Sequence, residues 1–352
     1  MTTNGFKLIS EEFIDDISSN VKIFEHEKTK ARLMAIENDD DNKVFGIGFR
    51  TPPHNSTGVA HILEHCVLNG SRKFKTREPF MDMLKTSLQT FLNAMTFSDK
   101  TIYPIASRND KDFHNLMDVY LDAVFFPAVR TKKEIFLQEG WHYELKNKDD
   151  KLSYKGVVYN EMKGAYSSKD TIMYQEFAKG LFPDSIYGNE SGGYPYDIPN
   201  LSYEEFVGFY DKLYHPSNSF IFIYGDMNTD DQLKFIDEEY LSHFEEDEID
   251  SKIEIQKDFD KERDFNVSYS ISSDEDPKNK DMLIYGVRSG FKYDPVDALT
   301  NSIIRDTLFE NDGSPLKLAL LESGIGEDID GLYTDGMEMG LVLVAINTTK
   351  DK

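Results

Sequence analysis

The sequence is poor in three things: cysteine, positive charge and long apolar runs. Cys66 is the one cysteine. An internal disulfide framework is therefore excluded, and the chain suits a reducing compartment. Cys66 points about 100° round a helix from its neighbour His65 and reads as a small core residue. Lys and Arg total 39 against 64 Asp and Glu, a formal charge of −25. That balance argues against a general nucleic-acid or anionic-membrane surface, both of which need basic patches. It would favour cationic peptides instead. No apolar run reaches transmembrane length, and the first twenty residues have no apolar signal core and are too acidic for a mitochondrial transit peptide. The expected setting is the bacterial cytoplasm, with neither nucleic acid nor membrane as partner.

What remains is ordinary globular material: 352 residues, 39% hydrophobic and 13% aromatic, enough for two domains with real cores. The chain is organised around Ser56 to Gly70, STGVAHILEHCVLNG. Ser56 or Thr57 can cap a helix there, and Asn69-Gly70 supplies a left-handed stop. His61, Glu64 and His65 form an H-x-x-E-H array within about 100° of one helix face. Two imidazoles one turn apart can reach one metal ion, and the carboxylate between them can reach a water on it. H-x-x-E-H is an inverted zincin signature. The plain alternative is a core helix with two satisfied histidines, since Ile62, Leu63, Val67 and Leu68 make it apolar. Spending three positions of such a helix on titratable groups needs a reason.

A catalytic zinc site needs a third protein ligand and an open position. Spacing does not choose among 64 acids. The best local context is Tyr159-Asn160-Glu161-Met162-Lys163-Gly164, where a strand runs into a helix and would hold a carboxylate rigidly.

Read in order, Lys30 to Glu37 and Lys43 to Arg50 predict a hairpin around an acidic turn that lacks calcium-loop spacing. Further strands are expected at Thr90 to Thr96, Lys100 to Ser107, Trp141 to Leu145, Tyr154 to Tyr159 and Ser219 to Tyr224. Helices are expected at Pro79 to Leu88, Asp112 to Phe126, Lys132 to Gly140, from Asn160 or Glu161, and at Tyr203 to Leu213 behind a Ser202 cap. The expected domains are 1–245, an acidic linker at 246–262, and an incomplete second domain at 263–352. In that domain Asp264 to Ile271, Met282 to Val287 and Gly340 to Ile346 read as strands, and Asp297 to Phe309 and Pro315 to Ser323 as helices. A sheet left without its covering helix suggests a fragment. A faint echo at an offset of 243 residues sets Ile304, Thr307 and Leu308 where His61, Glu64 and His65 stand, predicting a repeat without ligands.

Five blocks carry a resemblance: STGVAHILEHCVLNGS, LNAMTFSDKTIYPIAS, FLQEGWHYE, GVVYNEMKGAYSS and LYHPSNSFIFIYGD. Together they resemble the pitrilysin/insulinase-type (M16) metallopeptidases, within them the presequence protease and falcilysin branch. The resemblance implies an α+β fold of mostly antiparallel sheet packed with helices. It implies one Zn2+ held by His61, His65 and Glu161, with Glu64 as general base and Glu139 orienting a zinc-binding histidine. Asn93 and Ala94 match the edge strand on which family members lay substrate, so recognition would be through main-chain bonds. It further implies unstructured peptides as substrates. Four similar domains in two halves would close a chamber round them, the missing C-terminal half being a partner that supplies an Arg and a Tyr. The isolated chain is thus expected to bind metal with weak or no peptidase activity. The competing readings are a non-catalytic scaffold or regulatory subunit, and a structural zinc module.

Overall fold

The computed structural model describes residues 2–333 and 338–348. It opens with strands β1 (Thr2–Thr3), β2 (Phe6–Ile14), β3 (Ser19–His26), β4 (Arg32–Glu37) and β5 (Lys43–Arg50). Helices α1 (Val59–Val67) and α2 (Pro79–Thr86) precede strands β6 (Gln89–Leu92), β7 (Met95–Thr96) and β8 (Lys100–Ser107). Then come α3 (Asp110–Phe125), α4 (Lys133–Glu139), the strands β9 (His142–Glu144) and β10 (Ser153–Lys155), and helices α5 (Val157–Ala165), α6 (Lys169–Leu181) and α7 (Tyr203–Leu213). Strand β11 (Ser219–Gly225) and helix α8 (Thr229–Glu239) follow. The remainder holds β12 (Asp281–Phe291), α9 (Pro295–Phe309), α10 (Pro315–Ser323), β13 (Asp328–Tyr333) and β14 (Glu338–Thr348). The fold is α+β.

Two compact units result. The first takes the residues up to Lys163 and Glu190–Lys252; the second takes Gly164–Asn189, which includes α6, and the residues from Ile253 on.

The first unit is built on a nine-stranded sheet in the order β1-β2-β3-β4-β11-β5-β8-β6, with β7 also paired to β8. Its centre corrects the expected hairpin. β4 and β5 are not partners: β11 lies between them, parallel to β4 (Ile221 beside Leu33) and antiparallel to β5 (Ile221 beside Ile47). A five-residue connection can straddle one strand, because two ladder spacings amount to about 9.6 Å. The connection is held by its own side chains, Asp40 N donating to Asn38 Oδ1 and Asn42 N to Asp40 Oδ1.

Alternation then does its usual work. Leu33 and Ala35, Phe45, Ile47 and Phe49, Tyr103 and Ile105, and Ile221 and Ile223 all turn inward and are buried. Phe49 stacks on Tyr214 at 4.6 Å and meets the edge of Phe125 at 5.9 Å. The helix α1 joins this core through Ile62, Leu63, Cys66 and Val67, all fully buried.

Two further expectations change. The strand expected at Tyr154 to Tyr159 stops at Lys155, and α5 starts directly after Gly156, where the backbone passes so close to the Gly140 carbonyl oxygen that a Cβ would lie 1.9 Å from it. Residues 264–271 form no regular element. The strands β2 and β3 and the helices α6 and α8 were not legible beforehand. In the second unit β12, β14 and β13 form a three-stranded antiparallel sheet. Phe309, Ile329 and Ala345 form one core with α10, while Phe177, Leu181, Phe182, Tyr187 and Val344 form another.

Two buried polar groups tie the first unit together and yield measurable consequences. The Asp122 carboxylate, with no solvent exposure, accepts from Arg72 Nε at 3.1 Å and from Lys73 N at 2.6 Å, pinning the loop after α1 to α3. Asp122→Ala leaves the Lys73 N–H without its buried acceptor, while the half-exposed Arg72 keeps its place over Phe126, and should cost about 1–3 kcal/mol in denaturant unfolding. His26 is buried against Thr29 and Asp237, and burial holds its pKa below the ordinary 6.5, against the pull of Asp237. A depressed histidine favours the neutral form, so its stabilising effect is complete above that value and is lost as pH falls below it. The stability advantage of the wild type over His26→Gln should therefore shrink from pH 7.5 to 5.5; an advantage that grows on acidification would contradict this.

Candidate metal centre

Helix α1 sets the geometry. It begins not at a Ser56 or Thr57 cap, as expected, but after Gly58 in the left-handed region (φ +70°), with no side-chain cap. A Cβ at Gly58 would sit 2.8 Å from the Gly192 carbonyl oxygen and from Gly193 Cα. Ser56 is spent elsewhere, its hydroxyl accepting from Glu190 N and its carbonyl from Tyr194 N. These contacts dock the 190–194 loop against the start of α1. The expected stop is present, Gly70 having φ +97°.

With its apolar side in the core, α1 turns His61, Glu64 and His65 to the other side. The two imidazole centroids are 5.0 Å apart with planes at 74°. Helix α5 brings the third group. Val158 and Met162 are buried and fix its roll, which leaves Glu161 at the border of that stripe with its side chain half exposed. Glu161 Oε1 is 3.8 Å from His61 Nε2, and Oε2 is 3.8 Å from His65 Nε2. Among the described residues, His61, His65 and Glu161 form the one group of His, Cys, Asp and Glu able to hold a metal ion, with their ligand atoms within 4.8 Å of one another.

Each imidazole is also held from behind. His61 Nδ1 donates to the Gly192 carbonyl oxygen at 2.9 Å, which leaves the Nε2 lone pair facing the centre. His65 Nδ1 lies 3.4 Å from Glu139 Oε2, and Glu139 is buried at the end of α4. Gln138 Nε2 donates to the other Glu139 oxygen at 2.9 Å. Burial opposes a charge on His65, yet Glu139's hydrogen bond and the charges of Glu64, Glu139 and Glu161 outweigh it and raise its pKa. The local potential is thus negative, as a cation site requires. Glu64 is not part of the triad; its Oε2 accepts from Thr96 Oγ1 at 2.7 Å. Asn93 and Ala94 form the break between β6 and β7, with the Asn93 carbonyl accepting from Tyr120 Oη at 3.1 Å.

The donor set fits zinc. A four-coordinate ion with bonds of about 2.0–2.1 Å spaces its ligands by about 3.4 Å, close to the histidine–glutamate separations here. Two nitrogens and one oxygen leave a fourth position open, and the second nitrogen of each ring already has its partner. Three groups at this site were not foreseen: Gly192, Thr96 and Gln138. Gly192 and Gln138 act through a backbone carbonyl and an amide, which carry no spacing signature. Thr96 lay within a quoted block, but only the fold reveals its contact.

Comparison with known proteins follows the same lines. The family model described as "Insulinase (Peptidase family M16)" matches residues 44–154, and "Peptidase M16 inactive domain" matches residues 200–351. Protein HypA of Clostridium perfringens is 52% identical over 347 residues, 99% of this chain and 36% of that protein. Presequence protease 1 of Arabidopsis thaliana (chloroplastic/mitochondrial) is 48% identical over 92% of this chain and 30% of its own length. The mitochondrial presequence protease of Mus musculus is 42% identical over 86% and 29% respectively. The chain thus spans about a third of the length of these relatives. Among solved structures, pitrilysin superposes with a TM-score of 0.67 at 16% identity, over 99% of this chain and 36% of that one, a likeness of fold. On these matches to sequence models and to relatives, the chain belongs to the M16 (insulinase/pitrilysin) peptidase family, in its presequence-protease-like group.

Proposed function

We propose that the chain carries the metal centre of a zinc-dependent endopeptidase acting on unstructured peptides. The observation that supports it most is the convergence of His61 Nε2, His65 Nε2 and Glu161 on one point, with Glu64 beside them and outside the ligand set. A structural zinc module is disfavoured, since such sites close all four positions and are generally thiolate-rich. A scaffold reading has nothing to explain the complete set of four side chains.

His61, His65 and Glu161 would hold the ion, which when bound lowers the pKa of a water at the open position and polarises the scissile carbonyl. The rest is the work of this chain. Glu64, next to His65 and three residues from His61 on α1, takes the proton of the attacking water and returns it to the leaving amine nitrogen. Glu139 and the Gly192 carbonyl keep each imidazole in the tautomer that presents Nε2. A peptide laid along the sheet edge beside Asn93 and Ala94, whose own amides are bonded to the Pro104 carbonyl and to Asn93 Oδ1, would be recognised by its backbone, with little demand on its side chains.

In this reading residues 1–245 form the catalytic domain, 246–262 connect it, and 263–352 begin a second domain without ligands. The remainder of a longer polypeptide would complete the substrate chamber, so the isolated chain should bind zinc yet turn over weakly. No helix among the described residues is long and apolar enough to cross a membrane. With a bacterial relative at 52% identity, we place the protein in a bacterial cytoplasm.

Metal analysis separates the readings. His61→Ala should lose zinc. Glu64→Gln should keep one zinc per chain while kcat of the full-length polypeptide falls about 10²–10⁴-fold. Zinc retained in His61→Ala would refute the assignment. Glu139→Ala should weaken zinc binding about 10–100-fold, and Glu139→Gln, which still offers His65 an acceptor, by less.

A further inference from the structure

The Glu64 carboxylate sits on the same face of α1 as the two imidazoles, within a turn of each. A carboxylate so placed has two options. It can stay outside the ligand set as a base, or turn onto the cation as a fourth protein ligand and close the open position. Nothing in α1 decides between them, because a glutamate side chain has several rotatable bonds and both outcomes lie within its reach.

The deciding contact comes from another element. Thr96, at the end of β7, donates its hydroxyl to Glu64 Oε2 at 2.7 Å. The hydroxyl is itself well located. β7 pairs with β8, Met95 beside Ile102 and Thr96 beside Thr101. The turn that follows is closed by Phe97 N donating to the Lys100 carbonyl at 2.8 Å. Upstream, the Asn93 carbonyl is anchored by Tyr120 of α3, a fully buried side chain. The tyrosines nearby are bonded elsewhere: Tyr103 and Tyr214 share a hydrogen bond at 2.8 Å, and Tyr120 donates to the Asn93 carbonyl. Oε2 is thus engaged from the β7 side, which leaves Oε1 to meet a proton.

We infer that Thr96 is a positioning residue whose hydroxyl tethers Glu64 away from the metal and so keeps the fourth coordination position open. This rests on the metal-centre reading above.

The test is Co2+ titrated into the metal-free chain and followed by visible absorption, whose band positions report the ligand set without any turnover. Thr96→Ser keeps the hydroxyl and should match the wild type in spectrum and affinity. Thr96→Val has the same shape without the donor; as the Glu64 carboxylate replaces solvent on the ion its d–d bands should shift from those of the wild type, and it should bind Co2+ about tenfold more tightly, the scale on which outer contacts tune such sites. Thr96→Ala, which opens space rather than filling it, must behave as Thr96→Val does. Adding Glu64→Ala to Thr96→Val should abolish both changes. A Thr96→Val spectrum and affinity equal to the wild type would overturn the tether alone, as would changes that persist without Glu64. A wild-type chain that binds no stoichiometric Co2+, or whose binding survives His61→Ala, would instead overturn the metal centre, and the tether with it.

Discussion

The docking of α1 is the constraint on which the rest depends. Ile62, Leu63, Cys66 and Val67 give the helix one apolar side, and burying it leaves a single roll angle available. At about 100° per residue, that roll decides where positions 61, 64 and 65 point before any metal is considered. The loop at Gly192–Gly193 then approaches Gly58 so closely that neither partner has room for a side chain. Hydrophobic burial supplies the energy of the arrangement, and two backbone contacts supply its precision. The imidazoles are aimed by the core, not by each other.

Aiming them creates an electrostatic problem. Glu64, Glu139 and Glu161 all act on His65, and Glu139 is itself buried. Carboxylates gathered this closely repel one another, and a buried one is costly unless paired. Protonating His65 relieves part of the cost, which is why its pKa rises in spite of burial. A divalent cation between the rings would relieve more, and would do so with the nitrogen lone pairs already facing it. A positive charge at their centre would offset the mutual repulsion of the acids, which without any compensation would weaken the fold.

How much of this was legible in the sequence follows from the range of each interaction. α1, α3, α4, α7 and the strands β5, β8 and β11 announce themselves through local periodicity and end signals, such as the Ser202–Glu205 capping box. The insertion of β11 between β4 and β5 was hidden, because it pairs residues more than 160 positions apart and the short connection between β4 and β5 imitates a hairpin turn. The site divides in the same way. His61, Glu64 and His65 share one helix and a spacing, whereas Glu161 has no spacing to mark it: its local context made it a candidate, and the family resemblance chose it among the acids. Gly192 contributes nothing but a carbonyl oxygen, and no residue pattern marks that.

In the reading proposed above, the second unit is a copy of the fold relieved of chemistry. Strand β12 leads into α9 as β5 leads into α1, and the proposed echo sets Ile304, Thr307 and Leu308 in the positions of the histidine–glutamate array. An isoleucine, a threonine and a leucine can neither hold a cation nor move a proton from water. The strand-to-helix unit therefore does not need the ligands in order to form; apolar packing is sufficient, as the core of Phe309, Ile329 and Ala345 indicates. The titratable groups on α1 are retained against a local cost in a framework that can be built without them. Where a framework tolerates plain residues and one copy carries two histidines and an acid on its inner helix, the ion of the proposed reading is what would give those residues a physical reason.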